Sequence, residues 1–559
     1  MVKIKLAVIS LFALFMTTLP IMPIERSGGA ESPLMRETVT FLDQGWNTED
    51  RQMFYHTTQG TRVIPYKWFL ALERTGLSRQ PFLADEIVER YRLIPDPNTT
   101  NNPDRLPIGL VKEVAPDGEF IGVTCAACHT GQIAFNGAKI RIDGGPAMHN
   151  INGFFREMFE ALGATAVNPL KFRRFSKTVL GERDNLGERG RLRSQMTATL
   201  KTTFAVVIKG ELKHLYPTEE GFGRLDALGR GGNLVLARAI GDDRNFAVAN
   251  APVGFPHLWG TPSFDWVQYN GSIQQPMARN IGEALGVNAP VTLKGNPDDL
   301  FQSAVNVQNL HLLEEQVKKL TPPRWPEEIL GRIDKDKAGR GEALYARHCA
   351  ACHESRLAPP NEFGKQFLRI NMFPLNVIGT DPTDATNFNK RVARTGQLAL
   401  PPVGLPPTVT AASALEAVSS RIAERKYDEL RISPEKQIEM NGFRANRIRA
   451  PLAYRARNMD GIWATAPYLH NNSVPNLYQL LLPAARRDTK FYVGNLEFDP
   501  GVVGFKTAKF TGGFEFHTSV AGNSNAGHEF RDGPRGKSVI GPLLTDAERW
   551  AIVEFLKTK

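Results

Sequence analysis

The feature that most constrains this chain is its cysteine. There are four, in two pairs of identical form: Cys125-Ala-Ala-Cys128-His129 and Cys349-Ala-Ala-Cys352-His353. None is left over for a structural disulfide. A zinc site would set two such pairs roughly fifteen to twenty residues apart, or match one pair with two histidines. Here one pair lies in each half of the chain, and each has its own adjacent histidine. A redox dithiol has no use for that histidine. Covalent haem attachment uses all three residues. Two thiols one helical turn apart reach the two vinyl groups, and the next residue presents its imidazole to the iron. Two covalently bound c-type haems are therefore expected, with His129 and His353 as proximal iron ligands.

Such attachment takes place outside the bacterial cytoplasm, and the N-terminus agrees. Lys3 and Lys5 precede an apolar run from Leu6 to about Met16, which continues with prolines to Ile24. Gly28-Gly-Ala30 then supplies small residues for cleavage. Residues 1–30 read as a signal peptide; the competing reading, an uncleaved anchor, is disfavoured by Pro20 and Pro23. No cysteine follows the run, so a lipoprotein anchor is excluded. A periplasmic or secreted protein with no stable membrane span after signal removal is expected.

Hydrophobic residues make up 42% and charged residues 23%, which excludes a mainly disordered, fibrous or polytopic membrane chain. The net charge of +10 raises a nucleic-acid reading. Most of it is local: eleven Lys/Arg against four Asp/Glu lie between Leu170 and His214. That segment reads as a solvated basic insertion with helical stretches. No nucleic-acid partner is expected.

Thr321-Pro-Pro-Arg-Trp325-Pro-Glu-Glu, followed by Asp334-Lys-Asp-Lys337, has the composition of a linker. It divides the chain into 31–330, an N-terminal haem domain with the basic insertion, and 331–559, a C-terminal cytochrome c domain. In the second half a helix-like run, Ala338 to His348, leads into the motif. Thr545-Asp-Ala-Glu548 is a capping box that opens a closing helix with Ile552, Phe555 and Leu556 on one face. The first and last helices of such a domain pack across one another. In the first half, Gln132–Phe135 and Ala138–Ile142 flank an Asn136-Gly137 hairpin turn. The expected fold is mainly α, with two cytochrome c-like haem domains, the first enlarged by insertions with short β-hairpins.

The second axial position decides what each haem does: two strong ligands favour electron transfer, and an open face admits oxygen or peroxide. Candidates for a further ligand are His470, His517 and His528, with Met440 and Met459 behind them. The Gly/Asn-rich loop Gly522-Asn-Ser-Asn-Ala-Gly-His528 favours His528, because glycine lets backbone approach a flat ring closely.

The two haem motifs, Asp460-Gly-Ile-Trp463-Ala-Thr-Ala-Pro-Tyr-Leu-His470-Asn-Asn-Ser-Val474 and the closing helix resemble the bacterial dihaem cytochrome c peroxidase superfamily. Several segments are similar to its large rubber-oxygenase-like branch: Thr124–Gly131 with Arg141-Ile-Asp-Gly-Gly-Pro146, Phe491–Pro500 and the His528 loop. The resemblance implies a bis-histidine electron-transfer haem on His353 and His528. It also implies an N-terminal haem on His129 with an open or weakly occupied face. The His470 loop would border a haem without ligating it. An aromatic residue is implied between the haems, with Trp259 and Trp266 as candidates and Trp266 favoured.

The function expected is an exported dihaem oxidoreductase that activates peroxide or dioxygen. Its partner is then a small redox protein (a cytochrome or cupredoxin), or its substrate a hydrophobic unsaturated compound. The alternative is a non-catalytic dihaem electron-transfer cytochrome, which has little use for some 300 residues around its first haem.

Overall fold

Asn136 and Gly137 adopt φ values of 48° and 82°, the left-handed pair that a two-residue hairpin turn requires. They join the antiparallel strands Thr130–Phe135 and Ala138–Asp143. This computed structural model describes residues 38–559 apart from 77, 98 and 213, with no side chains given for 202–213. The expected signal peptide (1–30) lies outside the described residues.

The N-terminal part includes β1 (Val39–Phe41), α1 (Thr48–His56), β2 (Leu110–Ala115), β3 (Gly118–Val123), α2 (Cys125–Cys128), β4 (Thr130–Phe135) and β5 (Ala138–Asp143). β4 pairs with β5, which pairs in parallel with β1; β2 and β3 form a second hairpin. Helices α3 (Ile151–Val167), α4 (Pro169–Leu180) and α5 (Leu186–Leu212) follow. Asn168 caps α4 and Pro169 opens it, because proline lacks only an N–H that would be unpaired there. The basic segment thus lies in helices. Part of it is structural, since the buried Lys171 ammonium donates to the carbonyls of Arg74 at 2.7 Å and Ser78 at 2.9 Å.

Next come α6 (Pro276–Gly286), α7 (Val307–Lys319), α8 (Lys335–His348), α9 (Ala350–His353), α10 (Ala411–Glu429) and α11 (Asp546–Leu556). In α6 the apolar face, including Ile281 and Leu285, joins a core with Leu310 of α7 and with Val418 and Ile422 of α10. Its other face carries Arg279 and Glu283. The crossing of α8 with α11 has the expected close approach. A Cβ at Gly341 would stand 2.0 Å from the Ala551 carbonyl oxygen, and Tyr345 meets Phe555 at 5.1 Å. The Thr545–Glu548 capping box is formed.

Two expectations are corrected. The chain is not mainly α with two cytochrome domains: it is mixed, 40% helical and 16% strand, and its strands form many small pairs. The largest core also draws on the whole chain, from Trp46 and Phe54 through Trp259 to Trp463, Phe498 and Phe555. Sidedness of individual helices carries no information about a core shared between distant segments. Nor does the Pro-rich stretch behave as a loose linker. Trp325 is buried in that core, meets Trp463 edge-on at 5.3 Å and donates to the Gly331 carbonyl at 2.8 Å. An indole that buries its ring and pairs its N–H is an anchor.

Candidate haem-binding sites

Each CxxCH motif forms a single helical turn. At the first, α2 spans the gap between β3 and β4, so rigid sheet edges hold both of its ends. Thr124 precedes it in extended conformation and His129 closes it. His149, unforeseen from the sequence, braces the turn by a 2.7 Å contact between its Nε2 and the Ala127 carbonyl. All four thiols are free. Burial pushes the thiols of Cys125 and Cys349 up, and those of Cys128 to about 12 and Cys352 up as well. A redox-active CxxC needs the opposite shift. Neutral, close-set thiols fit thioether attachment.

His129 Nδ1 lies 2.8 Å from the Pro256 carbonyl. That bond leaves Nε2 free to act as a ligand nitrogen and fixes the ring plane, as outer partners of metal-bound histidines do. Burial lowers the imidazole to about 4, so it is neutral and able to coordinate. Beside it is a cavity that Cys125, His129, His257, Arg279, Glu283 and Glu314 help to line, and a haem attached at Cys125 and His129 would occupy part of it. Arg279 pairs closely with Glu314 and lies 3.9 Å from Glu283. The Glu283 side chain is 41% accessible, yet what it faces is this cavity. Desolvation therefore raises its carboxyl, Arg279 pulls it down and Glu314 raises it again.

At the second site α8 runs into Cys349 and the turn α9. His353 Nδ1 lies 2.7 Å from the Arg457 carbonyl, the same arrangement as at His129. Burial lowers this imidazole too, to about 4. His528 faces it, with ring centroids 6.1 Å apart and planes at 67°. Two imidazoles on opposite sides of one metal, each with a nitrogen about 2 Å away, put their centroids about 6 Å apart. Gly527 is required here. It has φ of +79°, and a Cβ would meet the backbone of Gly379 and Thr380 at 2.3 Å. Arg487 clasps the loop, donating to the carbonyls of Asn525 (2.5 Å), Gly527 (2.9 Å) and His528 (2.9 Å).

The other ligand candidates lie elsewhere. His470 is buried and stacks on Tyr454 at 4.1 Å, and His517 pairs with Glu515 at 2.6 Å. Met440 belongs to the α6–α10 core and Met459 borders the main one. Trp259 is buried and stacks on His257 at 4.5 Å. Trp266 packs in a small separate cluster with Phe264, Val267 and Ile370, beneath the Arg449 guanidinium at 3.7 Å.

Sequence reasoning missed Arg279, Glu283, Glu314, His257, Arg457 and Arg487. Only the i, i+4 pair Arg279/Glu283 left a local trace, since residues so spaced share a helix face.

The family described as RoxA-like, cytochrome c-like matches residues 453–492, the segment that carries Arg457 and His470. The chain is 38% identical over 567 aligned positions to the uncharacterized protein y4iJ of Sinorhizobium fredii, covering 93% of each. It is 28% identical over 324 positions to the uncharacterized protein y4iM of the same organism, covering 54% of this chain and 64% of that one.

Proposed function

The chain belongs to one family with y4iJ, and from that premise and the two sites we propose that it is an exported dihaem c-type oxidoreductase with one reactive and one electron-transfer site. The observation that carries this reading is their asymmetry. Beside His353 stands a second imidazole at a distance suited to a shared metal. Beside His129 lies a cavity furnished with acid–base groups.

Cys125/Cys128 with His129, and Cys349/Cys352 with His353 and His528, would hold the two haems. A c-type haem supplies an iron that exchanges single electrons and, where a coordination position is open, binds small oxidants. The Pro256 and Arg457 carbonyls keep the proximal rings oriented. Glu283, whose carboxyl is raised by desolvation, faces the cavity where it can hand on a proton. Arg279 offers positive charge to an oxygen that becomes negative, and Glu314 keeps that guanidinium in place.

Hydrogen peroxide is the oxidant this set suits best. Its reduction takes two protons and two electrons and yields two waters, and Glu283 is placed to pass protons inward. The electrons would come from a small cytochrome or cupredoxin. Export is supported by the chemistry of haem attachment; among the described residues no helix is long and apolar enough to cross a membrane.

Spin-resonance and optical spectra of the haem-loaded protein test the reading. One high-spin and one low-spin centre are expected, and His528→Ala should turn the low-spin one high-spin. Two low-spin centres that both refuse added ligands would replace it with the electron carrier. Parallel assays of peroxide reduction and oxygen-dependent polyisoprene cleavage identify the oxidant.

A further inference from the structure

Between the two proximal histidines runs a continuous chain of bonds. His129 Nδ1 pairs with the Pro256 carbonyl at 2.8 Å, and that carbonyl carbon is bonded to the backbone nitrogen of His257. Arg457 Nη2 donates to His257 Nδ1 at 2.6 Å. The carbonyl of the same Arg457 pairs with His353 Nδ1 at 2.7 Å. Every link is covalent or a hydrogen bond of ordinary length, and electronic coupling falls off less along such links than across open space.

The surroundings hold this path rigidly. His257 is buried and stacks on Trp259 at 4.5 Å with planes 23° apart. Trp259 Nε1 in turn donates to the Asp460 carbonyl at 2.8 Å. Two neighbouring side chains of one strand of chain thus dock on the same distant segment. A guanidinium has donors only, so it fixes His257 as the tautomer with an unprotonated Nδ1. His257 also lines the His129 cavity. Trp266, beneath Arg449, lies off this path.

We propose that His257 and Arg457 form the electron bridge between the two haem sites, acting as positioning residues that couple one centre to the other. The inference rests on the reading that both motifs carry haem. With haem bound at both motifs, one electron would leave the His353 centre, oxidised by one unit, and arrive at the His129 centre, reduced by one. A small one-electron carrier protein replaces it. No proton crosses, because each hydrogen bond on the path keeps its donor.

The test uses the haem-loaded full chain. An electron is injected photochemically into the low-spin centre, and its passage to the other is followed by absorbance. His257→Phe keeps a ring against Trp259 but removes the acceptor; Arg457→Met keeps an apolar stem but removes the donor. Each should slow the transfer about tenfold, with haem content and spin states unchanged, and the double variant should be no slower than the singles. If His257→Phe loads haem poorly, Arg457→Met answers the same question. Rates within about twofold of the parent in both variants overturn the bridge. So does a loss found only in Trp266→Phe. Ordinary peroxide reduction with an unaltered transfer rate sinks the bridge alone, whereas a parent protein without a ligand-accessible centre sinks the proposed function.

Discussion

At the scale of the residue, the groups that matter most are polar side chains held where water cannot reach them. Arg487 shows the principle: three backbone carbonyls of the His528 loop converge on one guanidinium, which satisfies acceptors that would otherwise be buried without partners. Asp384 shows the opposite case. Desolvation, with Asp226 and Asp381 nearby, raises its carboxyl to about 8 from 3.8. The folded chain therefore keeps a proton there that the unfolded chain has lost. By linkage, this group's contribution to stability is greatest below pH of about 4 and is lost as pH rises toward about 8. Asp384→Asn should flatten that slope and raise the melting temperature at pH 8 by a few degrees, with little change at pH 5. A thermal melt series from pH 5 to 9 checks it. Asp381 lies three residues before Asp384, but the burial of Asp384, the approach of Asp226 and the carbonyls around Arg487 come only with folding.

At the scale of the element, local rules proved legible where the signal was itself local. The Asn136-Gly137 turn, the Thr545–Glu548 capping box and the single helical turn of each CxxCH depend on residues a few positions apart, and all three form. The Pro-rich stretch around Trp325 misled because composition reports backbone preference and not what an indole can bury. Helix crossing is a further step, since it needs a gap in one helix to match the backbone of another. Gly341→Ala places a methyl group where the Ala551 carbonyl oxygen lies 2.0 Å away. It should cost about 1–3 kcal/mol. A lower melting temperature and reduced haem loading at the second motif, with the first intact, would be the expected pair of observations.

At the scale of the whole molecule, the largest core spans the chain from Leu42 to Leu556, so the two haem motifs share one hydrophobic interior. Residues 37–559 form one compact unit, and unfolding should be correspondingly cooperative. Trp325→Ala, which empties a buried indole site in that core, should destabilise by about 3–5 kcal/mol. Calorimetry should show a single transition that moves as a whole. A melt that splits in two would instead mean independently stable halves.

The amino-acid sequence makes c-type haem the expected cofactor, because covalent attachment depends on cysteines and a histidine within five consecutive residues, and no folding is needed to count them. It also pointed to His528, because a glycine before a loop histidine is a backbone requirement written in place. Which groups share a site follows from folding alone. Arg279 and Glu283 with Glu314, Arg487 under the His528 loop, and His257 joined to Arg457 each depend on contact between segments far apart in the chain. Such contacts follow from how the core closes, and no local pattern encodes them.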